Sequence, residues 1–177
     1  LVTKSLVREV KTDDAGCFQS ALNPGLTKIA VIERHKRTGK RGIGILEGYG
    51  LTGGAIATTI SHDSHNIVVA GDNDPDMLLA VRELADMGGG IVSVHGGAIR
   101  RLPLPIAGLM TSADPQEVNA VLHDMLVAAR AELGIPEDVE PFMTLSFMAL
   151  PVIPELKLTA RGLFNVNTFS FIGVEAD

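Results

Sequence analysis

The chain has a single cysteine, Cys17, no tryptophan and one tyrosine among its 177 residues. One thiol excludes an internal disulfide framework and a multi-cysteine metal site, so a reducing compartment is expected, with the cytoplasm as the default location. Basic residues are also scarce: 15 Lys and Arg stand against 21 Asp and Glu, a net charge of −6. No basic surface is then available to neutralise a phosphate backbone, which argues against a nucleic-acid partner. No apolar run reaches the ~18 residues a membrane helix requires. The nearest, Phe142 to Ile153, is broken by Thr144, Ser146 and Pro151, so a soluble protein with no membrane contact is expected. The first ten residues, LVTKSLVREV, contain no apolar h-region and no cleavage site, so no export signal is expected either. The chain opens on Leu1 instead of methionine, which suggests a piece of something longer.

What the chain does have is apolar material, 46% of its residues, enough for one core; a single domain over 1–177 is expected. Thr27 to His35 reads as a strand, because β-branched residues crowd a short run between the Asn23-Pro24-Gly25 turn and a basic loop. That loop, Arg34 to Arg41, reads as a solvated connection, with a phosphate or acidic-patch contact as the alternative. Gly42 to Leu51 and Gly54 to Ser61 read as two further strands, and the wholly apolar Ile67 to Ala70 as a central one. A first helix is punctuated by Asp74 as N-cap, Pro75 and a closing Gly88, with a stripe of Met77, Leu78, Val81, Leu84 and Ala85. Ile91 to Leu102 reads as a hairpin turning at Gly96-Gly97. A second helix begins at Asp114-Pro115-Gln116-Glu117 and runs to Gly134 with Val118, Val121, Leu122, Met125 and Leu126 inward. Periodicity leaves Pro141 to Leu156 undecided between helix and strand, and Phe164 to Val174 reads as a last strand. Strands before the first helix and a hairpin between helices predict an α+β fold, a mostly antiparallel or mixed sheet packed with two main α-helices.

Three patterns could carry chemistry. Gly48-Tyr49-Gly50-Leu51-Thr52-Gly53 matches the dinucleotide fingerprint in letters only, since it runs into a β-branched strand where the fingerprint needs a helix N-terminus to hold the pyrophosphate. The densest polar cluster is Ser61-His62-Asp63-Ser64-His65-Asn66, and Glu33 and His35 share one face of the first strand. Glu33, His35, His62 and His65 could together hold a divalent metal such as zinc, manganese or iron(II). The same residue types are what a hydrogen-bonded turn needs, or His62, Asp63, His65 and Asn66 could face a substrate cleft. The residues alone leave these three alternatives open. His95 and His123 read as surface or rim residues. No nucleophile elbow, metalloprotease motif or phosphate-loop lysine is present.

Four strings in order, KIAVIERH from Lys28, GLTGGAIATTISHDSHNIVVAGDNDPDM from Gly50, LPLPIAGLM from Leu102 and PFMTLSFMALPVIPELKLT from Pro141, closely resemble the C-terminal domain of bacterial and archaeal adenine deaminases of the amidohydrolase superfamily. The likeness runs from Lys28 to Ile172. It implies a parent enzyme that hydrolyses adenine to hypoxanthine and ammonia in purine salvage, using a divalent metal (Mn, Fe or Zn) held in an N-terminal (β/α)8 barrel. A barrel needs ~250 residues, and no His-x-His pair of the kind that opens such a metal site is present here, so the resemblance assigns no catalytic residue to this segment. It implies a lobe that docks on the barrel, inactive alone, in an enzyme expected to be a homo-oligomer. A free-standing, non-catalytic metal- or small-molecule-binding regulatory module is the alternative from another class.

Overall fold

Seven residues, Leu26–Ile32, form β1, and the basic loop turns the chain back into β2, Arg41–Glu47. The protein is described here by a computed structural model covering residues 1–175. There follow β3 (Gly54–Thr58), β4 (Ile67–Gly71), α1 (Asp74–Asp86), β5 (Gly90–His95), β6 (Ala98–Pro103), α2 (Pro115–Ala131) and α3 (Pro141–Met148). Three short strands, β7 (Leu156–Thr159), β8 (Gly162–Asn165) and β9 (Ser170–Ile172), complete the order. The main sheet runs β2-β1-β4-β3-β5-β6, every neighbouring pair antiparallel, and β7-β8-β9 form a second small sheet. This is the α+β architecture expected from the sequence, with a third helix added where periodicity was silent.

Both faces of the main sheet are covered, which explains why β4 is apolar at every position instead of alternating. Ile67 and Val69 pack with Met77, Ala80 and Leu84 of α1 on one face. Val68 and Ala70 pack on the other with Met125 of α2, Phe142 and Leu145 of α3 and Leu158 of β7. Each fully buried Val or Leu contributes about 1.5–3 kcal/mol relative to exposure. β4 is third of six strands, as its composition predicts.

Several boundaries depart from the sequence reading. The cap of α1 is Asn73, whose side chain accepts from the Asp76 N–H at 2.9 Å, so Asp74 is already helical. Leu78 and Ala85 of the expected stripe are exposed, and Ala80 is buried in their place. A residue as small as alanine lets the helix axis approach the sheet, which rotates the buried line to Met77, Ala80 and Leu84. Helix α2 is capped by Asp114, which accepts from Gln116 N–H at 2.7 Å, but ends at Ala131, with Val121 exposed. The undecided apolar run becomes α3: Pro141 starts it, the Glu140 carboxylate caps the Met143 N–H, and the buried Ser146 hydroxyl donates to Phe142 O at 3.0 Å. The expected last strand is in fact two, β8 and β9, with Phe169 at φ +53° in the turn between them. Phe169 and Phe171 each pack edge-on against Phe164 at 5.2 Å. The expected strands Gly42 to Leu51 and Gly54 to Ser61 are shorter, stopping at Glu47 and Thr58.

The hairpin turn is as expected, Gly96 and Gly97 both having positive φ (+55° and +82°). The glycine run ends in β3, not a helix, and a Cβ on Gly54 would overlap the Val94 carbonyl of β5. Of the fingerprint glycines themselves, Gly50 has φ +79° and a Cβ there would lie 2.5 Å from the Pro136 ring, so turn geometry and close packing account for it without a cofactor. Among the described residues no helix is long and apolar enough to cross a membrane.

Candidate functional site

Strands β3 and β4 are joined by residues 59–66, and this connection folds back on itself. The His65 N–H donates to Ser61 O at 2.6 Å, and the Ser61 N–H donates to His65 Nδ1 at 3.3 Å. An Nδ1 that accepts a hydrogen bond leaves the ring proton on Nε2, so His65 is a neutral imidazole with a defined tautomer. Burial lowers its pKa below 6.5, and the neighbouring His62 and Arg34 lower it further, while Asp63 opposes them. Its φ of +49° lies in the left-handed region, a strain on the order of 1 kcal/mol for a residue with a Cβ.

What holds that strained residue comes from elsewhere in the chain. Arg34, just beyond β1, donates Nε–H to His65 O at 2.6 Å and Nη2–H to Ala107 O at 2.6 Å. Its backbone N–H reaches Asn66 Oδ1 at 3.4 Å. His35 Nε2 bonds Ser64 O at 2.7 Å, necessarily as the donor because a carbonyl only accepts. The His62 N–H donates to Ser146 O of α3 at 3.0 Å. Thr59 Oγ1 donates to Gly108 O at 2.6 Å and accepts from Gly90 N–H at 2.8 Å, which fixes the loop carrying Ala107. The end of β1, the 59–66 turn, the loop after β6 and the middle of α3 thereby converge on one surface. A depression of about 350 Å³, lined in part by Glu33, Arg34, Arg37 and Thr59, lies beside it.

On that surface the predicted residues separate by role. Asn66 is buried and serves the backbone. Asp63 is exposed, with no hydrogen-bond or ion-pair partner among the described residues. The His62 ring lies 5.7 Å from that of His65, edge to face, and 4.8 Å from Phe147 in a tilted contact. The Ser61 hydroxyl is buried and has no hydrogen-bond partner among the described residues.

A metal does not fit the four residues put forward for it. Both Glu33 carboxylate oxygens are occupied, accepting from the His35, Lys36 and Thr38 N–H groups at 2.6, 2.7 and 3.0 Å and from the Thr38 hydroxyl at 2.9 Å. These bonds, that of the Thr38 N–H foremost, hold the Glu33 carboxyl down at about 2. His35 Nε2 and His65 Nδ1 are committed to the turn as well. Among the described residues no group of three or more His, Cys, Asp or Glu is arranged to hold a metal ion. Glu33 is a staple of the basic loop. His95 Nδ1 bonds Gly53 O at 2.7 Å, and His123 is exposed on α2.

Arg34, Ala107 and Phe147 were missed from sequence. The sequence places Arg34 with its basic neighbours in a solvated loop, yet it is half-buried while residues 35–41 are exposed. Its position as the first basic residue after a buried strand was the only signal available.

Comparison with known proteins adds the family. The family model described as adenine deaminase C-terminal domain matches residues 1–170. An adenine deaminase of Nitratidesulfovibrio vulgaris strain Hildenborough is 60% identical over 175 residues, covering 98% of this chain and 30% of that protein. One from Clostridium acetobutylicum is 48% identical over 171 residues, 96% of this chain and 30% of the relative. One from Bacillus velezensis is 47% identical over 172 residues, 95% of this chain and 29% of the relative. The chain thus spans about 30% of the length of the curated relatives it matches. With a model match over nearly its whole length and relatives above the level at which folds diverge, the chain belongs to the adenine deaminase C-terminal domain family.

Proposed function

We propose that the chain is the C-terminal lobe of a metal-dependent adenine deaminase, which hydrolyses adenine to hypoxanthine and ammonia, and that it docks on a catalytic barrel and forms part of the purine cleft. The observation that carries this is the 60% identity over 98% of the chain to a protein named adenine deaminase, of which the chain matches 30%. The divalent metal that the activity calls for (manganese, iron or zinc) finds no fitting donor set among the described residues, and this reading assigns it to the barrel. This lobe contributes shape and hydrogen-bonding groups through the turn 61–66. The exposed apolar side chains of Val2, Val7, Val152 and Phe169 are the material of a docking face.

The test is hypoxanthine formation by the longer protein that contains this chain, by the same protein lacking residues 1–177, and by the chain alone. The reading predicts turnover by the first, little or none by the second, none by the third, and recovery when the two parts are mixed. Adenine turnover by the chain alone, or undiminished turnover without it, contradicts the reading.

A further inference from the structure

We infer that His62, Asp63 and His65 form one wall of a recognition site for a planar amino-substituted heterocycle, in which His65 Nε2–H donates to an acceptor ring nitrogen. The inference rests on the preceding reading, that the whole protein acts on a purine, and assigns the contacts this lobe would make.

Four observations carry it. First, the connection is longer and more constrained than topology demands. Antiparallel neighbours such as β3 and β4 are joined most simply by two to five residues, whereas residues 59–66 intervene between Thr58 and Ile67. Second, His65 stands in a left-handed conformation although a connector could place glycine there, and Arg34 and His35 both spend side-chain donors on holding the turn. Strain kept in place by surrounding bonds marks sites where orientation matters. Third, the Ser61 N–H occupies His65 Nδ1, so the remaining ring proton lies on Nε2, for which no acceptor exists among the described residues. Fourth, the neighbouring groups complement such a ligand. The His62 and Phe147 rings, 4.8 Å apart, offer aromatic surface for a flat ring system. The exposed Asp63 carboxylate accepts hydrogen bonds only, as an exocyclic amino group requires.

The same set is unsuited to other ligands. A phosphate would meet the Asp63 carboxylate and two imidazoles, one of them fixed as neutral. A divalent cation would meet an Nε2 that carries a proton. The surface is open, so it is one half of a site that an opposing wall must complete. His65 is therefore a substrate-contacting residue that recognises and orients the heterocycle.

The experiment uses the full-length protein with adenine and with 1-, 3- and 7-deazaadenine, each lacking one ring acceptor, as competitive inhibitors. In the wild type, one deaza analogue should bind about 10-fold or more weakly than the other two, the loss expected for one unsatisfied donor. His65→Leu should raise KM for adenine about 10-fold or more and abolish discrimination among the analogues. His65→Asn, which tolerates the left-handed backbone and restores an N–H, should recover part of the loss. Asp63→Ala removes an exposed group with no partners, so it tests the same wall without risk to folding and should also raise KM. Variants that leave KM and the analogue series unchanged, in a wild type that does deaminate adenine, overturn this inference and leave the functional reading standing. A wild type that does not deaminate adenine overturns that reading instead.

Discussion

Arg34→Met keeps most of the apolar stem of the side chain and deletes the guanidinium that holds His65 O and Ala107 O, each at 2.6 Å. A hydrogen bond to a charged group contributes about 1.5–3 kcal/mol when desolvated. Arg34 is only half-buried, so water reaches both carbonyls once the guanidinium has gone, and about half of the combined contribution is lost, ~2 kcal/mol. The strain at His65 then has less to oppose it. The lost contacts are local to the turn, so the destabilisation should appear as turn opening and not as global unfolding. A change of ~2 kcal/mol raises the open population about 30-fold. Hydrogen–deuterium exchange on the full-length protein reads this directly. Amides of residues 61–66 should exchange about 30-fold faster, with those of α2 unchanged as an internal reference. Unaltered exchange in the turn, or equal acceleration in α2, would refute the claim that Arg34 is what fixes it.

Gly108→Ala should reproduce that effect from the other side, because the new Cβ would lie 2.7 Å from Arg34 Nη2 at a φ of +75°; normal turn protection in this variant would show that Arg34 can shift harmlessly. Lys157 is buried, with Leu1 O at 3.1 Å and Thr3 Oγ1 at 3.4 Å as acceptors, and burial pushes its pKa from 10.5 down to about 8. Its folded pKa lies below its unfolded one, so the folded state binds fewer protons between pH 8 and 10.5 and stability rises with pH across that window. Lys157→Met should flatten that rise, as read from urea midpoints on the two sides of the window. Leu145→Ala empties a fully buried site in α3 and should cost about 2–5 kcal/mol in urea unfolding, an effect on folding that exceeds any on substrate affinity in the folded fraction.

The parts of the fold legible in the sequence were those where local chemistry and tertiary packing agree. Gly96-Gly97 needs positive φ whatever surrounds it, Asp114 has backbone N–H groups to cap, and Ile67 to Ala70 has no polar face to expose. Failures occur where packing chose between local options of similar worth. Asn73 and Asp74 are both good caps, and only the approach of Ala80 to the sheet selects the register of α1. Pro141 to Met148 is apolar on every side, so no period could reveal α3. Phe169 and Phe171 share one face of an extended run, yet the chain reverses between Phe164 and Phe169 to bring all three rings together. The polar cluster at 61–66 was visible as composition. Its organiser was not, because Arg34 acts on backbone carbonyls 31 and 73 residues away, and carbonyls leave no mark in the sequence.

The most direct test of the account is a crystal structure of the full-length protein with a bound, unreactive purine. The account predicts the turn 61–66 at the ligand, with His65 Nε2 ~3 Å from a ring nitrogen and the purine plane against His62. A purine enclosed by the barrel alone, with His65 facing solvent beyond hydrogen-bond reach, would contradict it.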